Sequence, residues 1–118
     1  MTDSETAGWV MDISVMLKAL GEPTRLSIFQ LLLERKHCVR SLSRRLGITE
    51  SAVSQHMKVL KEAGLVYGER YGYHIHYLPD QEALDYLSGA FDQMRKRSLE
   101  LCRDCQSCQC EFRKETKG

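Results

Sequence analysis

Apolar residues recur at helical spacing in the first third of the chain and predict two helices. The first helix runs from about Trp9 to Leu20, because its apolar positions fall three or four residues apart. Gly21 ends this helix and Pro23 opens the next, since glycine is common at helix ends and proline in first turns. The second helix runs from about Pro23 to Arg35 and is apolar nearly all round. A helix of this kind is expected at the centre of a domain.

Two shorter helices follow, joined by a turn that contains glycine. The third predicted helix runs from about Val39 to Leu46 and ends at Gly47, where a left-handed residue suits a helix end. Thr49 is predicted to be the N-cap of the fourth helix, because its hydroxyl accepts hydrogen bonds from free backbone N–H groups. The fourth helix runs from about Glu50 to Ala63. Its apolar face holds Val53, Met57 and Leu60.

A hairpin and a long helix complete the predicted order of elements. The stretches Leu65 to Tyr71 and Tyr73 to Leu78 are rich in Val, Ile and Tyr, and Gly72 lies between them as a turn residue. A last helix from about Asp80 to Leu101 carries an apolar stripe. The fold class is therefore mainly α with a small β-hairpin, in the order helix–helix–helix–helix–strand–strand–helix. Two short helices followed by a hairpin are the parts of a winged helix-turn-helix.

The composition fits one globular domain with flanking segments. The chain has 118 residues, of which 42% are hydrophobic and 28% are charged. We expect a flexible N-terminal segment at 1–8, a winged-helix DNA-binding and dimerisation domain at 9–101, and a cysteine-rich tail at 102–118. No stretch resembles a membrane span or a signal peptide, which favours a cytoplasmic protein with no membrane partner. An enzyme is not expected, because the chain lacks a nucleophile–base signature and a glycine-rich phosphate loop.

Basic charge is concentrated around the two short helices and the hairpin. Residues 35–71 contain eight basic and three acidic side chains, a net charge of +5, whereas the whole chain carries +1. This distribution favours binding to phosphates, although an ordinary solvated helix face is the alternative reading. The outer face of the fourth helix offers serine and glutamine, which hydrogen-bond to base edges in the major groove. The candidate DNA contacts are Arg40, Arg44, Ser51, Ser54, Gln55, His56, Lys58, Lys61, Arg70 and His74.

Three stretches of sequence resemble the ArsR/SmtB family of winged-helix metalloregulators. They are L-K-A-L-G-E-P-T-R-L-S-I-F-Q-L-L at 17–32, L-G-I-T-E-S-A-V-S-Q-H-M-K-V-L-K-E-A-G-L-V at 46–66, and Y-G-Y-H-I-H-Y-L-P at 71–79. The resemblance covers roughly Asp12 to Phe91. It implies a dimeric repressor that releases double-stranded operator DNA when a metal or metalloid ion binds.

The resemblance also implies that the first and last helices form a homodimer interface. Both helices carry more apolar residues than one small core needs, although an intramolecular core is the alternative. A symmetric dimer would place its two reading helices about 34 Å apart, one turn of DNA. The candidate interface residues are Trp9, Ile13, Met16, Leu84, Leu87, Phe91 and Met94.

Four of the five cysteines lie close together in the tail, at Cys102, Cys105, Cys108 and Cys110. The residues between them are too polar to form a core, so we expect the thiolates to bind an ion. Thiolates favour zinc, cadmium, copper(I) or an iron–sulfur cluster over hard cations. The chemistry of the family adds arsenite, which we expect first, followed by cadmium or zinc. A redox sensor, an iron–sulfur sensor and a purely structural zinc tail are the alternatives.

Cys38 is a fifth candidate ligand, at the start of the third predicted helix. Many arsenic and cadmium sensors of the family carry C-V-C-D-L there, whereas this chain has C-V-R-S-L, with Arg40 in place of the second cysteine. Cys38 therefore either joins the tail thiolates or is a half-buried structural thiol. His37 is an outside candidate ligand, and His74 and His76 are expected to be surface or DNA-facing groups. The last helix holds no histidine, so the family's zinc-type site across that helix is not expected.

Overall fold

Five helices and a two-stranded antiparallel hairpin make up residues 12–101, the part of the chain that the computed structural model describes. Their order is the one that the hydrophobic pattern predicts, so the predicted fold class is confirmed. The helices are α1 (Ile13–Leu20), α2 (Pro23–Glu34), α3 (Val39–Leu46), α4 (Glu50–Glu62) and α5 (Gln81–Leu99). The strands are β1 (Val66–Tyr71) and β2 (His74–Pro79). The predicted start of the first helix at Trp9 lies outside the described residues.

Local hydrogen bonds explain where the two helices of the helix-turn-helix pair meet. The hydroxyl of Thr49 accepts a hydrogen bond from the backbone N–H of Ala52 at 3.0 Å, which confirms the predicted N-cap of α4. Gly47 ends α3 with φ +71°, a left-handed conformation that glycine reaches without steric cost. The Ser43 hydroxyl donates to the carbonyl of Ile48 and closes the turn. These contacts fix the direction in which α4 leaves the turn.

One core joins the first four helices, the base of the hairpin and the start of α5. Its fully buried apolar side chains are Met16, Ile28, Leu32, Leu42, Val53, Met57, Leu60 and Leu65. This set contains all three residues that were expected on the apolar face of α4, so that prediction is confirmed. Each large apolar side chain buried here stabilises the fold by roughly 2 kcal/mol relative to leaving it exposed.

The interpretation of α2 as a helix buried on all sides is wrong. Ile28, Phe29 and Leu32 are buried, but 39% of Leu26 and 51% of Leu33 remain exposed. The reason is geometric, because each residue turns the helix by roughly 100° and the core of one chain covers only one side of α2. In the single chain, α2 is therefore buried on one side and keeps apolar residues, Leu26 and Leu33, on its outer side.

The hairpin forms a wing that is tied to the helix-turn-helix pair. Strands β1 and β2 pair in one continuous antiparallel register over their whole length. His37, in the loop between α2 and α3, forms a bridge with Tyr77 of β2. The His37 N–H donates to the Tyr77 carbonyl at 3.4 Å, and the Tyr77 N–H donates to the His37 carbonyl at 2.8 Å. The wing is therefore connected to the chain directly before α3.

Only the first half of α5 is buried against the core of the single chain. Ala83 and Leu87 are buried, whereas Phe91 and Met94 are 48% and 51% exposed. Met16 and Leu87 were predicted at the dimer interface, and this prediction is corrected, because the core of one chain already encloses both side chains. No helix within 12–101, α5 included, is long and apolar enough to cross a membrane.

The remaining predicted interface residues fall into two groups. Ile13 and Leu84 are partly buried and lie against the core, so each keeps some surface accessible to a partner. Phe91 and Met94 are the most accessible members of the predicted set within the described residues. Trp9 lies outside the described residues.

Candidate nucleic-acid interface

Helix α4 buries one face in the core and leaves the opposite face at the surface. Hydroxyl and amide side chains on such a face hydrogen-bond to base edges, and lysines contact phosphates. The structure brings five of the predicted DNA contacts together on this exposed side, within three turns of helix. They are Ser51, Ser54, Gln55, Lys58 and Lys61.

A hollow of about 430 Å³ lies between α4 and the wing. It is lined by Ser54, Met57, Lys58, Lys61, Glu62 and Tyr77. The Nζ atom of Lys61 stands 5.9 Å from the centre of the Tyr77 ring, a cation–π distance that links the helix to β2. Because two ammonium groups face one carboxylate here, the charge of the hollow favours an anionic partner such as a phosphate group.

Basic side chains flank α4 on both sides. Arg40 and Arg44 are exposed on α3, one helical turn apart, and Arg70 and His74 are exposed on the two wing strands. Sequence reasoning missed Tyr73, which is fully exposed at the tip of the wing. The sequence feature that could have revealed this exposure is the position of Tyr73 beside Gly72, the predicted turn residue, where no neighbouring segment covers a large side chain.

Two histidines that were predicted to face DNA or solvent turn toward the protein instead. The Nδ1 atom of His56 lies 3.5 Å from the Arg25 guanidinium and 4.0 Å from the Glu22 carboxylate. These contacts direct the ring toward the start of α2, so we remove His56 from the candidate DNA contacts. His76 is half-buried and stands edge-on to the ring of Tyr71, with 5.0 Å between ring centres. Its expected position at the surface is therefore corrected.

His37 is enclosed by the loop, α3 and the wing. Only 2% of the residue is exposed, and its Nδ1 atom lies 2.8 Å from the Ser41 hydroxyl. Burial lowers the pKa of His37, because the charged form loses water, and the nearby charges of Arg35 and Arg45 lower it further. The neutral imidazole is therefore the form that suits this position.

Cys38 is half-buried at the N-cap of α3, where its Sγ accepts a hydrogen bond from the backbone N–H of Ser41 at 3.5 Å. The thiol lies at the edge of a surface hollow of about 290 Å³, which is lined by Cys38, Arg40, Ser41, Arg44 and Arg45. Within the part of the chain that the structure describes, no three His, Cys, Asp or Glu side chains are grouped closely enough to hold a metal ion. The predicted tail ligands, Cys102 to Cys110, lie outside that part.

A family model and two curated relatives match the chain around this interface. The model for bacterial regulatory proteins of the arsR family matches residues 22–67. The transcriptional repressor SmtB of Mycobacterium tuberculosis is 44% identical over 62 residues, which cover 52% of this chain and 46% of SmtB. YbzH, an uncharacterized HTH-type transcriptional regulator of Bacillus subtilis, is 33% identical over 88 residues, which cover 62% of this chain and 88% of YbzH. The match therefore spans about half of the SmtB relative and most of YbzH.

Solved structures share the same fold. The crystal structure of a possible transcriptional regulator for arsenical resistance has a TM-score of 0.61 and 31% identity, over 75% of this chain and 97% of that chain. A homodimeric winged helix-turn-helix DNA-binding domain from Mycobacterium bovis, a possible ArsR-family regulator, has a TM-score of 0.57 and 25% identity, over 75% and 79% of the two chains. These proteins are described as regulators of transcription, which agrees with the prediction that this chain is not an enzyme.

Proposed function

The chain belongs to the ArsR family of bacterial regulatory proteins, and from this membership we propose that it is a transcriptional repressor. In this proposal the protein binds double-stranded operator DNA as a homodimer and leaves the DNA when its cysteines bind a thiophilic ion. The observation that carries the proposal is the exposed polar and basic face of α4 beside the wing. Because its target would be operator DNA, the protein would act in the cytoplasm.

Helix α4 is the element that would enter the major groove. The amide of Gln55 has a donor and an acceptor that match the N6 and N7 positions of adenine, and the Ser54 hydroxyl suits either a base or a phosphate. Lys58 and Lys61 would meet phosphates on the rim of the groove, and Arg70 would do so from the wing. The base edges would then set the sequence preference, while the lysines and the arginine would supply most of the affinity.

An exposed apolar strip on α5 is the proposed dimer interface. Phe91 and Met94 lie three residues apart on one face of the helix, and each is about half exposed in the single chain. In a two-fold dimer the same patch occurs on both subunits, so the strip of one chain would meet the strip of its partner. The homodimeric M. bovis domain supports this arrangement by its likeness to the present fold.

The cysteines of the tail are the proposed sensor. They fall at Cys102, Cys105, Cys108 and Cys110, directly after α5. The chemistry of the ArsR/SmtB family puts arsenite first, which takes three sulfur ligands, and thiolates also suit cadmium or zinc. Cys38 is a fifth candidate from which the ligands would be drawn, since its thiol at the start of α3 is only half-buried.

The position of the tail explains how ion binding would act on the reading helices. Because the tail follows α5, gathering its thiolates around an ion would alter the end of the dimer helix. A change there would disturb the spacing of the two α4 helices on the operator. A coupling energy of about 1–3 kcal/mol, typical of allosteric proteins, would weaken DNA binding by about 5-fold to 150-fold.

Fluorescence anisotropy of the reduced protein on a labelled duplex from its own promoter tests this function. Arsenite, cadmium and zinc are titrated in turn into the complex. The matched variant has the four tail cysteines changed to serine, and a duplex of scrambled sequence serves as the DNA control. We expect preferential binding to the promoter duplex and release by one ion only when the tail is intact.

Each other outcome has a defined meaning. Equal binding to the promoter and the scrambled duplex would contradict a sequence-specific repressor. Release by oxidation, with no effect of any ion, would replace metal sensing with a redox function. Unchanged DNA binding when zinc is bound by the tail would indicate a purely structural metal.

A further inference from the structure

A lysine in the loop between α2 and α3 contacts Tyr71, the last residue of β1. The Nζ atom of Lys36 donates a hydrogen bond to the hydroxyl of Tyr71 at 2.8 Å, and the same Nζ stands 4.0 Å from the centre of the Tyr71 ring. The Tyr71 hydroxyl in turn donates to the Glu69 carboxylate at 2.6 Å. These three side chains form one hydrogen-bonded group, which we name the wing clamp.

The wing clamp lies next to the turn that forms the tip of the wing. Tyr71 is the last residue of β1, and the turn at Gly72 follows it directly. The same ring also packs at right angles against His76 from β2, with 5.0 Å between ring centres, so Tyr71 contacts both the loop and the second strand. A change in the position of Tyr71 would therefore move the exposed residues on either side of it, Arg70 and Tyr73.

The charges of the wing clamp argue against a direct phosphate contact by Lys36. The carboxylate of Glu69 and the ammonium of Lys36 both meet the Tyr71 hydroxyl, so the group carries no net charge. The hydrogen bond to Tyr71 also raises the pKa of the Lys36 ammonium, which favours the charged form of the lysine. In contrast, the hollow between α4 and the wing has the ammonium groups of Lys58 and Lys61 beside one carboxylate, Glu62.

We propose that Lys36 is a positioning residue for DNA binding, which acts through Tyr71 to hold the wing tip against the operator. The proposal rests on the proposed function as a DNA-binding repressor. In this proposal Lys36 contacts Tyr71 and neither a base nor a phosphate. Its contribution to affinity comes from reducing the freedom of the wing before DNA binds.

A double-mutant cycle on the promoter duplex separates positioning from direct contact. The variants are Lys36→Met, Tyr71→Phe and the pair combined, each measured by anisotropy at several salt concentrations. Lys36→Met and Tyr71→Phe are each expected to weaken binding by about fivefold, the scale of one cation–π or hydrogen-bond contact. The combined variant is expected to lose less affinity than the sum of the two single losses, because both substitutions remove the hydrogen bond between Lys36 and the Tyr71 hydroxyl.

The salt dependence supplies the readout that distinguishes the two roles of a lysine. Lys36→Met is expected to leave the slope of log K against log salt unchanged, whereas the matched variant Lys58→Met is expected to reduce it by about one unit. Lys36→Arg should restore binding in the presence of Tyr71 and give a smaller benefit in Tyr71→Phe, where only the contact with the ring remains. Melting temperatures of all variants within a few degrees of the parent show that the fold is intact.

Three results would each overturn the proposal. They are additive losses of affinity in the cycle, a reduced salt slope for Lys36→Met, and no loss of affinity in that variant. Failure of the parent protein to bind its promoter duplex would count against the repressor function instead. The two failures are distinguishable, because the first appears only in the variants and the second in the unmodified chain.

Discussion

The Nδ1 atom of His37, which precedes α3, lies 2.8 Å from the hydroxyl of Ser41 in the first turn of that helix. This contact joins the His37 side chain to α3, the first helix of the helix-turn-helix pair. The same histidine exchanges two backbone hydrogen bonds with Tyr77 of β2. His37 therefore connects the reading unit and the wing through both its backbone and its side chain, and its protonation state matters to both.

Stability is expected to fall in mild acid because of His37. The unfolded residue has the ordinary pKa of 6.5, and burial, followed by Arg35 and Arg45, lowers the pKa in the folded protein. As pH falls below 6.5, His37 therefore binds a proton in the unfolded state before it does so in the folded state. The stability that neutral His37 contributes to the fold is complete above pH 6.5 and is lost as pH falls through the lower pKa of the folded protein. Thermal unfolding at about pH 7.5 and about pH 5.5 measures the loss.

His37→Asn is the matched control for this pH effect. Asparagine keeps a polar group near Ser41 and does not titrate in this range. Its melting temperature should change less between the two pH values than that of the parent protein. An equal change in both proteins would assign the acid sensitivity to other groups.

Two adjacent leucines in α2 are expected to differ sharply in their contribution to stability. Leu32 is 2% exposed and Leu33 is 51% exposed, although both have the same side chain on the same helix. Leu32→Ala should cost about 2–5 kcal/mol of unfolding free energy, because it leaves a cavity in the core. Leu33→Ala should cost less than about 1 kcal/mol. Urea unfolding of both variants measures the difference, and similar losses would contradict the one-sided burial of α2.

The boundaries of α3 and α4 could be predicted from the sequence because their causes are local. Gly47 ends one helix through its left-handed backbone, and Thr49 begins the next with its hydroxyl. Both effects act within four residues, so they do not depend on how the rest of the chain folds. The same is true of the hairpin, whose turn falls at Gly72 as predicted.

The surroundings of Met16 and His56 could not be predicted, because they depend on the distant segment that each side chain meets. The helical pattern assigns Met16 to an apolar face but does not say whether its own core or a partner covers that face. Similarly, His56 lies among the reading residues of α4 in sequence, yet it turns toward Arg25, 31 residues earlier in the chain. The Lys36–Tyr71 contact spans 35 residues and has no signature in either segment alone.

Specific recognition of DNA is expected to depend on Gln55 and general affinity on Lys61. Gln55→Ala should cost about 1–3 kcal/mol on the operator and relax the preference at one base pair, because its amide pairs with a base edge. Lys61→Met should weaken operator and scrambled duplex alike and lower the salt slope by about one unit. Anisotropy on both duplexes at several salt concentrations measures these effects. A uniform loss for Gln55→Ala would place its side chain on the phosphate backbone instead.

The strip on α5 is expected to carry the dimer. Phe91→Asp should convert the protein to a monomer, because burying a phenylalanine contributes about 2 kcal/mol and a two-fold interface contains it twice. The dissociation constant should therefore rise by about two to three orders of magnitude. Gln93→Asp adds the same charge on the opposite, exposed side of α5 and should leave the dimer intact. Sedimentation of the three proteins over a range of concentrations tests this, and equal dissociation of both variants would contradict the proposed strip.

Cys38→Ser is expected to weaken arsenite binding without disturbing the fold. The Cys38 thiol caps α3 by accepting a hydrogen bond from the Ser41 N–H, and a serine hydroxyl performs the same capping at least as well. Loss of affinity for arsenite in this variant would therefore report the loss of a sulfur ligand rather than the loss of a helix end. Titration of free thiols before and after addition of arsenite measures how many cysteines the ion protects.

Which thiols the ion protects decides between the two roles of Cys38. If Cys38 is one of the three sulfur ligands, arsenite protects the Cys38 thiol of the parent protein from alkylation, and Cys38→Ser releases DNA only at higher arsenite concentrations. If the tail alone binds the ion, the Cys38 thiol reacts equally with and without arsenite, both proteins release DNA at the same concentration, and Cys38 is then a structural thiol at the start of α3. A variant with all four tail cysteines changed to serine completes the comparison, because Cys38 by itself offers too few sulfur ligands to hold arsenite.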